Sequence, residues 1–585
     1  MMFCKTRWGI LGLLLVLFFP YMLFGCTARI NVDEPVKLVV SADRSTPLRT
    51  WSALSLLYPD QYHNYSQLVE ELNQIANNAP DIVEMYTIGQ SLQGKDIHCL
   101  RITNEENSDP KAGVLFVAHH HAREQITVEI ALRFLLRLVN NYGIDQAITE
   151  YVNHEDIYII PSLNPDSLYY VVEEGDSWLR KNLKSFDDDN DGFFDEDPAD
   201  DVNGDGIVSE FSIYIKNDSD WIYGSSYFEG IDNDGDGLIN EDPVGGVDLN
   251  RNYNFRWNDS SLDTGWGTDT TSMSYPGTAP FSEPETQVFR DFMSDKVFST
   301  AISLHSGINA TYFPWASVDY FAEPSLYYQI YSDFLGLVPN LNDYLNISAS
   351  QEEIQSYYLP SYTSAGSWDD WMYYVKKCLV PLTYEIYHNG TADNDGILRA
   401  DLSNETYQVW QWDHIFEYFA PYESAIAALW NDIQPAFDYW LSITPRLNIT
   451  GYVVLDDENT GNRRKLEVIV ENLSPRVETT LWLNLVNNDF DYVLKDGVPV
   501  TIRRLIEGQI INKTLEFDLD NVLQPGTEII LKIGNDYVGY STLSIDKAAI
   551  GIDAETNKGN EIPWDLLAML SAIPIMIGWI KIKGR

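Results

Sequence analysis

The first two thirds of the chain alternate apolar runs with segments of helical spacing. Tyr65 to Asn77 and Thr127 to Val139 carry apolar residues at helical spacing and therefore predict amphipathic helices. The apolar runs that predict short buried strands are Val114 to Ala118, Ile157 to Ile160 and Ala301 to Leu304. Strands that alternate with helices are typical of an α/β fold, here with a mixed, largely parallel central sheet flanked by helices.

The C-terminal part of the chain changes to short segments in which apolar and polar residues alternate. Leu466, Val468 and Val470 share one side of such a segment, while glutamates lie on the other side. Several segments of this kind, separated by turn residues, predict a β-sandwich over residues 444–546. The polar residues 547–562 that follow it predict a linker.

Both ends of the chain contain apolar runs next to basic residues. Residues 1–26 predict a secretory signal peptide or an uncleaved N-terminal anchor, and the residues before Cys26 also resemble a bacterial lipobox. Residues 563–580 predict a transmembrane helix, and the basic residues after it predict a cytoplasmic tail. We therefore expect the body of the protein to be extracytoplasmic, either membrane-anchored at the cell surface or secreted.

The formal net charge of −49 disfavours nucleic acid as a partner, because its phosphates would be repelled. Much of the acidic charge lies in residues 186–243, where three segments place oxygen side chains at alternate positions with a glycine after the third. EF-hand-like loops have this spacing, and the glycine permits the sharp turn around calcium. The segment therefore predicts a structural calcium-binding insertion rather than a merely solvated acidic loop. The predicted ligands are Asp187, Asp189, Asp191, Asp201, Asn203, Asp205, Asp232, Asp234 and Asp236.

The stretch VLFVAHHHAREQ, residues 114–125, ends a predicted strand with three histidines. His121 and Glu124 form a His-x-x-Glu pair at the carboxyl end of this strand, the sheet edge where α/β proteins build their sites. A third ligand should come from the end of another strand, and His305 follows such an apolar run. Two imidazoles and one carboxylate suit zinc, and a catalytic zinc keeps a fourth position for water.

No catalytic role is predicted for the other histidines. His119 and His120 have no carboxylate three residues later, so we expect packing or supporting roles for them. His63 and His154 are expected at the surface, and His98 is expected in a strand.

A series of motifs in chain order resembles those of the zinc metallocarboxypeptidases of the pancreatic carboxypeptidase A and B type. The motifs are His121-Ala-Arg-Glu124, Asn164-Pro165-Asp166, Arg180-Lys181-Asn182, Asp248-Leu249-Asn250-Arg251-Asn252, His305 between Leu and Ser, Tyr362 followed by Gly366 and Asp370-Trp371, and Thr383-Tyr384-Glu385. The resemblance implies a carboxypeptidase-like catalytic domain over residues 57–435, interrupted by the acidic insertion.

The resemblance also implies the chemistry. Zinc held by His121, Glu124 and His305 would make the chain a metallocarboxypeptidase that removes residues from peptide and protein C-termini. Glu385 would be the general base, and Arg180 would stabilise the oxyanion of the tetrahedral intermediate. The implied substrate-binding residues are Arg123, Asn250, Arg251 and Tyr362.

Asp369 aligns with a pocket position that is acidic in carboxypeptidase B and apolar in carboxypeptidase A. A buried carboxylate there favours Lys or Arg as the C-terminal residue of the substrate, whereas the alternative is an ordinary acidic residue in an acidic protein. Two other functions stay open: a relative that acts on cell-wall peptides, and an inactive surface protein of the same fold that binds partners through calcium. No implied zinc ligand is replaced, nor is Glu385, which favours the enzyme. The oligomeric state is not predicted.

Overall fold

The structure is a computed structural model. It describes residues 38–40, 49–107, 111–188, 191–202, 208–217, 220–233, 235, 237, 239–240, 242–318, 322, 327, 330, 332, 337, 363–388, 397–412, 418–444, 447–455, 463–472, 479–487, 498–502, 510–518, 529–535 and 539–545. The predicted signal or anchor over 1–26, the linker over 547–562 and the transmembrane helix over 563–580 lie outside these residues. Among the described residues, no helix combines the length and the apolar character needed to cross a membrane.

The strands are β1 (Leu38–Val40), β2 (Val83–Gln90), β3 (Asp96–Ile102), β4 (Ala112–Ala118), β5 (Glu155–Ile160), β6 (Glu210–Asn217), β7 (Asp220–Phe228), β8 (Thr300–His305), β9 (Ile308–Tyr312), β10 (Val380–Tyr387), β11 (Ile397–Leu398), β12 (Tyr407–Trp412), β13 (Leu447–Leu455), β14 (Arg463–Asn472), β15 (Thr479–Asn487), β16 (Val498–Ile502), β17 (Ile510–Asp518), β18 (Ile529–Asn535) and β19 (Gly539–Ile545). The α-helices are α1 (Tyr65–Asn78), α2 (Ile126–Asn141), α3 (Gln146–His154), α4 (Pro284–Phe292), α5 (Trp368–Tyr374) and α6 (Ile426–Ser442).

Seven strands form the central sheet, in the order β2-β3-β5-β4-β8-β10-β9. Strands β5, β4, β8 and β10 run parallel to one another. The outer strands β2, β3 and β9 pair antiparallel with their neighbours. Parallel neighbours need long crossover connections, which the helical segments between them supply. The prediction of a mixed α/β sheet flanked by helices is confirmed.

Helices cover both faces of this sheet. All residues of β4 are buried, and alternate ones enter different cores. Val114 and Phe116 belong to the core that contains α2 and α6, whereas Leu115 and Val117 belong to the core that contains α4 and α5. A strand that is buried on both faces is apolar at every position, so the apolar run in the sequence is sufficient to predict β4.

The predicted elements of the domain begin and end close to their predicted bounds. Helix α1 begins after Asn64, whose side chain accepts a hydrogen bond from the Gln67 backbone N–H, while the Gln67 side chain accepts one from the Asn64 N–H. This reciprocal pair satisfies two backbone donors that the helix itself leaves unbonded. Helix α2 is buried along most of its length and ends two residues beyond the predicted Val139.

The expectation that His63 lies at the surface is wrong, because the residue is only 1% exposed. Its Nδ1 lies 2.9 Å from Oε1 of Glu129 in α2, and its Nε2 lies 3.4 Å from Oε1 of Glu71 in α1. These three residues, called the His63 cluster below, join the first two helices of the domain. A lone histidine in the sequence gives no sign that two carboxylates from later helices will enclose it.

The acidic insertion contains a β-hairpin that the sequence pattern did not predict. Its strands β6 and β7 pair with each other, and β6 also pairs with β12, which gives a separate sheet of order β11-β12-β6-β7. Trp178 packs on Phe228 with ring centroids 4.6 Å apart, and its Nε1 donates to the Val208 carbonyl at 3.0 Å. The base of the insertion therefore adjoins the segment that carries Arg180.

Two antiparallel sheets of four strands follow, with the orders β1-β13-β14-β17 and β16-β15-β18-β19. Strand β13 of the first sheet lies against β18 and β19 of the second. Leu466, Val468 and Val470 are buried, as the alternation in the sequence predicts. Strand β1 joins the first sheet from the other end of the chain, a long-range pairing that no local pattern indicates.

Candidate functional site

The site is built at the carboxyl ends of the parallel strands β4, β8 and β10. His121 lies three residues after the end of β4, and His305 is the last residue of β8. Glu385 lies directly opposite His305 in the parallel pairing of β10 with β8. Because parallel strands end at one edge of a sheet, these side chains, distant in sequence, meet there.

His121, Glu124 and His305 form a buried cluster whose potential ligand atoms all lie within 4.8 Å of one another. Glu124 lies between the two rings, with Oε1 at 2.8 Å from His121 Nδ1 and Oε2 at 2.9 Å from His305 Nδ1. The two Nδ1 atoms are 3.1 Å apart. Two unprotonated ring nitrogens at this distance repel each other unless a cation lies between them, so the donor set fits zinc. Within the described part of the chain, this is the one cluster of metal-ligating side chains with such an arrangement.

The charges around the cluster keep Glu124 ionised. Burial alone would raise the pKa of this carboxyl, but His121 and His305 outweigh the burial and hold the pKa well below its ordinary value. Burial lowers the pKa of His121, and the nearby Arg180 lowers it further. For His305, burial lowers the pKa, but the attraction of Glu124 prevails and raises it. The cluster thus contains an ionised carboxylate held between two histidine rings.

Asp248 orients the first histidine. Its Oδ1 lies 3.1 Å from His121 Nε2, so the opposite nitrogen of the ring faces Glu124. Its Oδ2 accepts hydrogen bonds from Arg180 Nη2 at 2.9 Å and Nε at 3.1 Å. Burial would raise the pKa of Asp248, but Arg180 and His121 hold it well below its ordinary value. Asp248 belongs to a family motif in the sequence, but no function is predicted for it there. Its position two residues before Asn250 is the only signal in the sequence that could have indicated one.

Glu385 faces the cluster from the neighbouring strand. Its Oε2 is buried and has no hydrogen-bond partner among the described residues. Burial, followed by repulsion from Glu124, raises the pKa of Glu385 to about 8. A carboxylate with an unused oxygen and a pKa close to neutral is suited to accept and return a proton.

A cavity of about 330 Å³ lies over the cluster. The predicted site residues that line it are His121, Arg123, Glu124, Arg180, Asn250, Arg251, His305, Asp369 and Glu385. Arg251 donates from Nη1 to the Asn250 carbonyl at 2.8 Å, while its buried Nε has no partner in the described structure. The cavity therefore combines a metal-ligating cluster, a proton acceptor and a guanidinium whose Nε donor is unused.

Two further predicted substrate residues lie in the wall of this cavity. The guanidinium of Arg123 lies 4.0 Å from the centroid of the Phe419 ring, and burial with the nearby Arg180 lowers its pKa to about 10. Asp369 is 3% exposed, and burial raises its pKa even though Arg251 opposes that rise. A carboxylate with so little access to water gains from a cationic partner inside the cavity.

Some predicted residues are not brought into this site. Tyr362 lies outside the described residues, as do Asp189, Asn203, Asp205, Asp234 and Asp236 of the predicted calcium loops. Asp187, Asp191, Asp201 and Asp232 are described, but they belong to no group of three described side chains that could hold a metal. Asp232 accepts hydrogen bonds from the backbone N–H groups of Gly235 at 2.6 Å and Gly237 at 3.0 Å.

The other two histidines of the triplet do not belong to the group of potential metal ligands. Nδ1 of His119 lies 2.8 Å from Ser162 Oγ, and its Nε2 lies 2.9 Å from the Ala122 carbonyl. His120 lies between Tyr253 and Ser303 instead, with one ring nitrogen 3.0 Å from each hydroxyl. The three rings therefore have different partners, and only His121 contributes a potential ligand atom to the cluster.

Comparison with known proteins gives a family. The family profile described as zinc carboxypeptidase matches residues 68–434 of the chain. A zinc carboxypeptidase of Saccharothrix mutabilis subsp. capreolus is 36% identical over 126 residues, which are 21% of this chain and 28% of that protein. Carboxypeptidase B2 of Bos taurus is 25% identical over 290 residues, which are 49% of this chain and 53% of that protein.

Among solved structures, bovine thrombin-activatable fibrinolysis inhibitor in complex with tick carboxypeptidase inhibitor is similar to the chain. The match has a TM-score of 0.42 and 21% identity, and covers 66% of this chain and 98% of that one. Of the two curated relatives above, the chain spans about half the length of one and about a quarter of the other.

Proposed function

We infer that this chain, which belongs to the zinc carboxypeptidase family, hydrolyses the C-terminal peptide bond of peptides and proteins. The observation that carries this inference is the shared cavity of the His121–Glu124–His305 cluster, Glu385 and Arg251. A metal-ligating cluster and a general base can carry out hydrolysis, and a guanidinium with an unused Nε donor can bind a terminal carboxylate.

The residues of the cluster would hold zinc through the two Nδ1 atoms and the Glu124 carboxylate. Bound zinc would polarise the scissile carbonyl and acidify a water molecule. Glu385 accepts the proton of that water on its unpartnered oxygen and returns it to the leaving amine. Arg180, anchored by Asp248, donates hydrogen bonds to the oxyanion of the tetrahedral intermediate. The two hydrogen bonds from Arg180 to Asp248 hold the guanidinium in place before this charge develops.

Asn250 and Arg251 bind the terminal carboxylate of the substrate. The Asn250 side chain is itself held, since its Oδ1 accepts a hydrogen bond from the Trp368 N–H at 2.9 Å. The guanidinium of Arg251 forms a fork that suits a carboxylate. Arg123 would hold the peptide further from the scissile bond, and Tyr362 would close over the site.

The chain is further proposed to be of the carboxypeptidase A and B type, with a preference for basic C-terminal residues. The near-complete burial of Asp369 supports this preference, because a buried carboxylate gains from pairing with a Lys or Arg side chain.

Structural calcium in the acidic insertion and an extracytoplasmic, membrane-anchored or secreted location are also proposed. The acidic side chains that alternate along the insertion, with glycine after the third, support structural calcium, and the apolar termini support the extracytoplasmic location.

Removal of calcium should lower the melting temperature, because a ligand bound only by the folded state stabilises it. An unchanged melting temperature would contradict structural calcium.

The test uses the purified full-length chain and peptides that end in Lys, Arg, Leu or Phe, each as a free acid and as an amide. Release of the terminal amino acid, measured by mass spectrometry, is expected from free acids, absent from amides, lost on zinc chelation and restored by zinc. If no free-acid peptide is shortened, the proposed function is wrong.

A variant of Glu385 separates chemistry from folding. Glu385→Gln should keep zinc and lose turnover by roughly 100- to 10,000-fold, since this is the usual contribution of a general base. Glu84→Gln, an exposed glutamate in β2, is the matched control and should act like the wild type. Full activity of Glu385→Gln would remove Glu385 from the mechanism.

A further inference from the structure

A chain of hydrogen bonds runs from the second zinc-ligating histidine into the protein interior. Ser303 Oγ lies 2.9 Å from Nε2 of His305 and 3.0 Å from Nδ1 of His120. Nε2 of His120 lies 3.0 Å from the hydroxyl of Tyr253. All four side chains are almost completely buried, so water does not compete for these bonds.

The local structure explains how these groups meet. Ser303 and His305 are two residues apart in strand β8, so their side chains point to the same face of the sheet. The ring of His120 lies nearly parallel to that of His305, with centroids 5.4 Å apart and an angle of 17°. The Trp368 ring lies roughly perpendicular to the His120 ring, with centroids 6.3 Å apart and an angle of 71°.

The donor and acceptor roles along this chain follow from the ligand cluster. If His305 binds the metal through Nδ1, which faces Glu124, its Nε2 carries the proton and donates to Ser303 Oγ. The Ser303 hydroxyl is then free to donate to His120 Nδ1, and His120 donates from Nε2 to Tyr253. The amide nitrogen of Asn250 lies 3.4 Å from His305 Nε2, but an amide nitrogen only donates, so it cannot accept this proton in place of Ser303.

We propose that Ser303 and His120 are positioning residues for His305: they hold its ring in the tautomer and orientation in which Nδ1 is a zinc ligand. The proposal rests on the zinc site of the proposed function, but not on the peptide substrate. His121 is oriented by the charged Asp248, whereas His305 is oriented by this neutral chain. The two histidines are therefore held by different means, and the neutral one adds no further negative charge beside Glu385.

A second buried serine–histidine pair in the protein supplies a control. His119 also pairs with a buried serine, since its Nδ1 lies 2.8 Å from Ser162 Oγ. That pair contacts no zinc ligand side chain. Ser162→Ala therefore removes a serine–histidine bond of similar length and burial to the one lost in Ser303→Ala, but leaves His305 untouched.

The experiment measures zinc release from the zinc-loaded full-length chain into excess chelator, followed with a zinc-sensitive dye. Loss of a hydrogen-bond partner of a metal ligand typically weakens metal binding about 10- to 100-fold. Ser303→Ala and His120→Phe should both release zinc faster by a factor in this range, and Ser162→Ala should match the wild type. His120→Asn, whose Oδ1 can still accept from Ser303, should fall between His120→Phe and the wild type.

Melting temperatures of the zinc-free proteins show whether each variant is folded. If Ser303→Ala and His120→Asn are folded and release zinc at the wild-type rate, the proposal is refuted. It is also refuted if Ser162→Ala releases zinc as fast as Ser303→Ala. A wild type that binds zinc but cleaves no peptide would refute the proposed function alone, and the release rates would still decide this inference.

Discussion

The His63 cluster should make the stability of the α/β domain depend on pH in a direction that the structure specifies. Burial alone would lower the pKa of His63, but hydrogen bonds to Glu129 and Glu71 outweigh it and raise the pKa to about 9. In the unfolded chain the pKa is that of an ordinary histidine, about 6.5. The folded state therefore binds this proton more tightly than the unfolded state does.

The sign and size of the effect follow from this difference. A group whose pKa is raised on folding stabilises the protein fully below its unfolded pKa and loses that contribution as the pH rises through its folded pKa. One pKa unit corresponds to about 1.4 kcal/mol, so the protonated His63 contributes on the order of 3 kcal/mol at pH 6. Between about pH 6.5 and 9 this contribution should disappear.

The assay is urea unfolding of wild type and His63→Gln, followed by tryptophan fluorescence at several pH values from 6 to 10. The glutamine side chain of the variant cannot be protonated, so the difference in unfolding free energy between the two proteins isolates the titration of His63 from that of other buried groups. The difference should be largest near pH 6 and should shrink as the pH approaches 10.

A second histidine supplies the control. His98 in β3 has no carboxylate partner of this kind, and burial lowers its pKa. A lowered pKa on folding affects stability only below about pH 6.5. His98→Gln should therefore differ from the wild type by a constant amount between pH 6.5 and 10. A constant difference for His63→Gln over the same range would refute the reasoning about the His63 cluster.

Three further predictions concern the candidate site. Arg251→Ala should lower kcat/KM on free-acid peptides by on the order of 100-fold, because truncating one partner of a buried charge pair costs about 2–5 kcal/mol; wild-type kinetics would exclude the carboxylate clamp. Asp369→Leu should reduce the release of C-terminal Lys and Arg while sparing Leu and Phe; equal losses on all four peptides would contradict a pocket for basic residues. Asp248→Asn places an amide donor against His121 or Arg180, so zinc affinity, measured by chelator competition, should fall about 10- to 100-fold; an unchanged affinity would show that Asp248 does not orient His121.

The proposed zinc ligands were the most predictable part of the site. His121 and Glu124 are close in sequence, and His305 ends an apolar run, so strand-end placement was enough to join them. Glu385 needed the family resemblance, because a glutamate inside a strand is not unusual on its own. Its position opposite His305 became visible only through the parallel register of β10 on β8.

The partners of the ligands were less predictable. Ser303 stands two residues before His305, and period-two alternation could have placed both on one face. No such local rule connects Asp248 with His121, or Tyr253 with His120, because these contacts join segments more than a hundred residues apart. Serine, aspartate and tyrosine are also common enough that their presence alone indicates nothing.

The sequence by itself determined the α/β alternation, the apolar central strands and the residues that can hold zinc. These features follow from local periodicity and from the spacing of a few rare side chains. Both signals can be recognised without knowing which distant segments will be neighbours in the fold. Only the tertiary structure decided that His63 is enclosed by two carboxylates, that the acidic insertion contributes a hairpin to a separate sheet, and that β1 pairs with β13. Each of these depends on which distant segments the packed core brings together, and that outcome is set by long-range burial and pairing rather than by any single stretch of the chain.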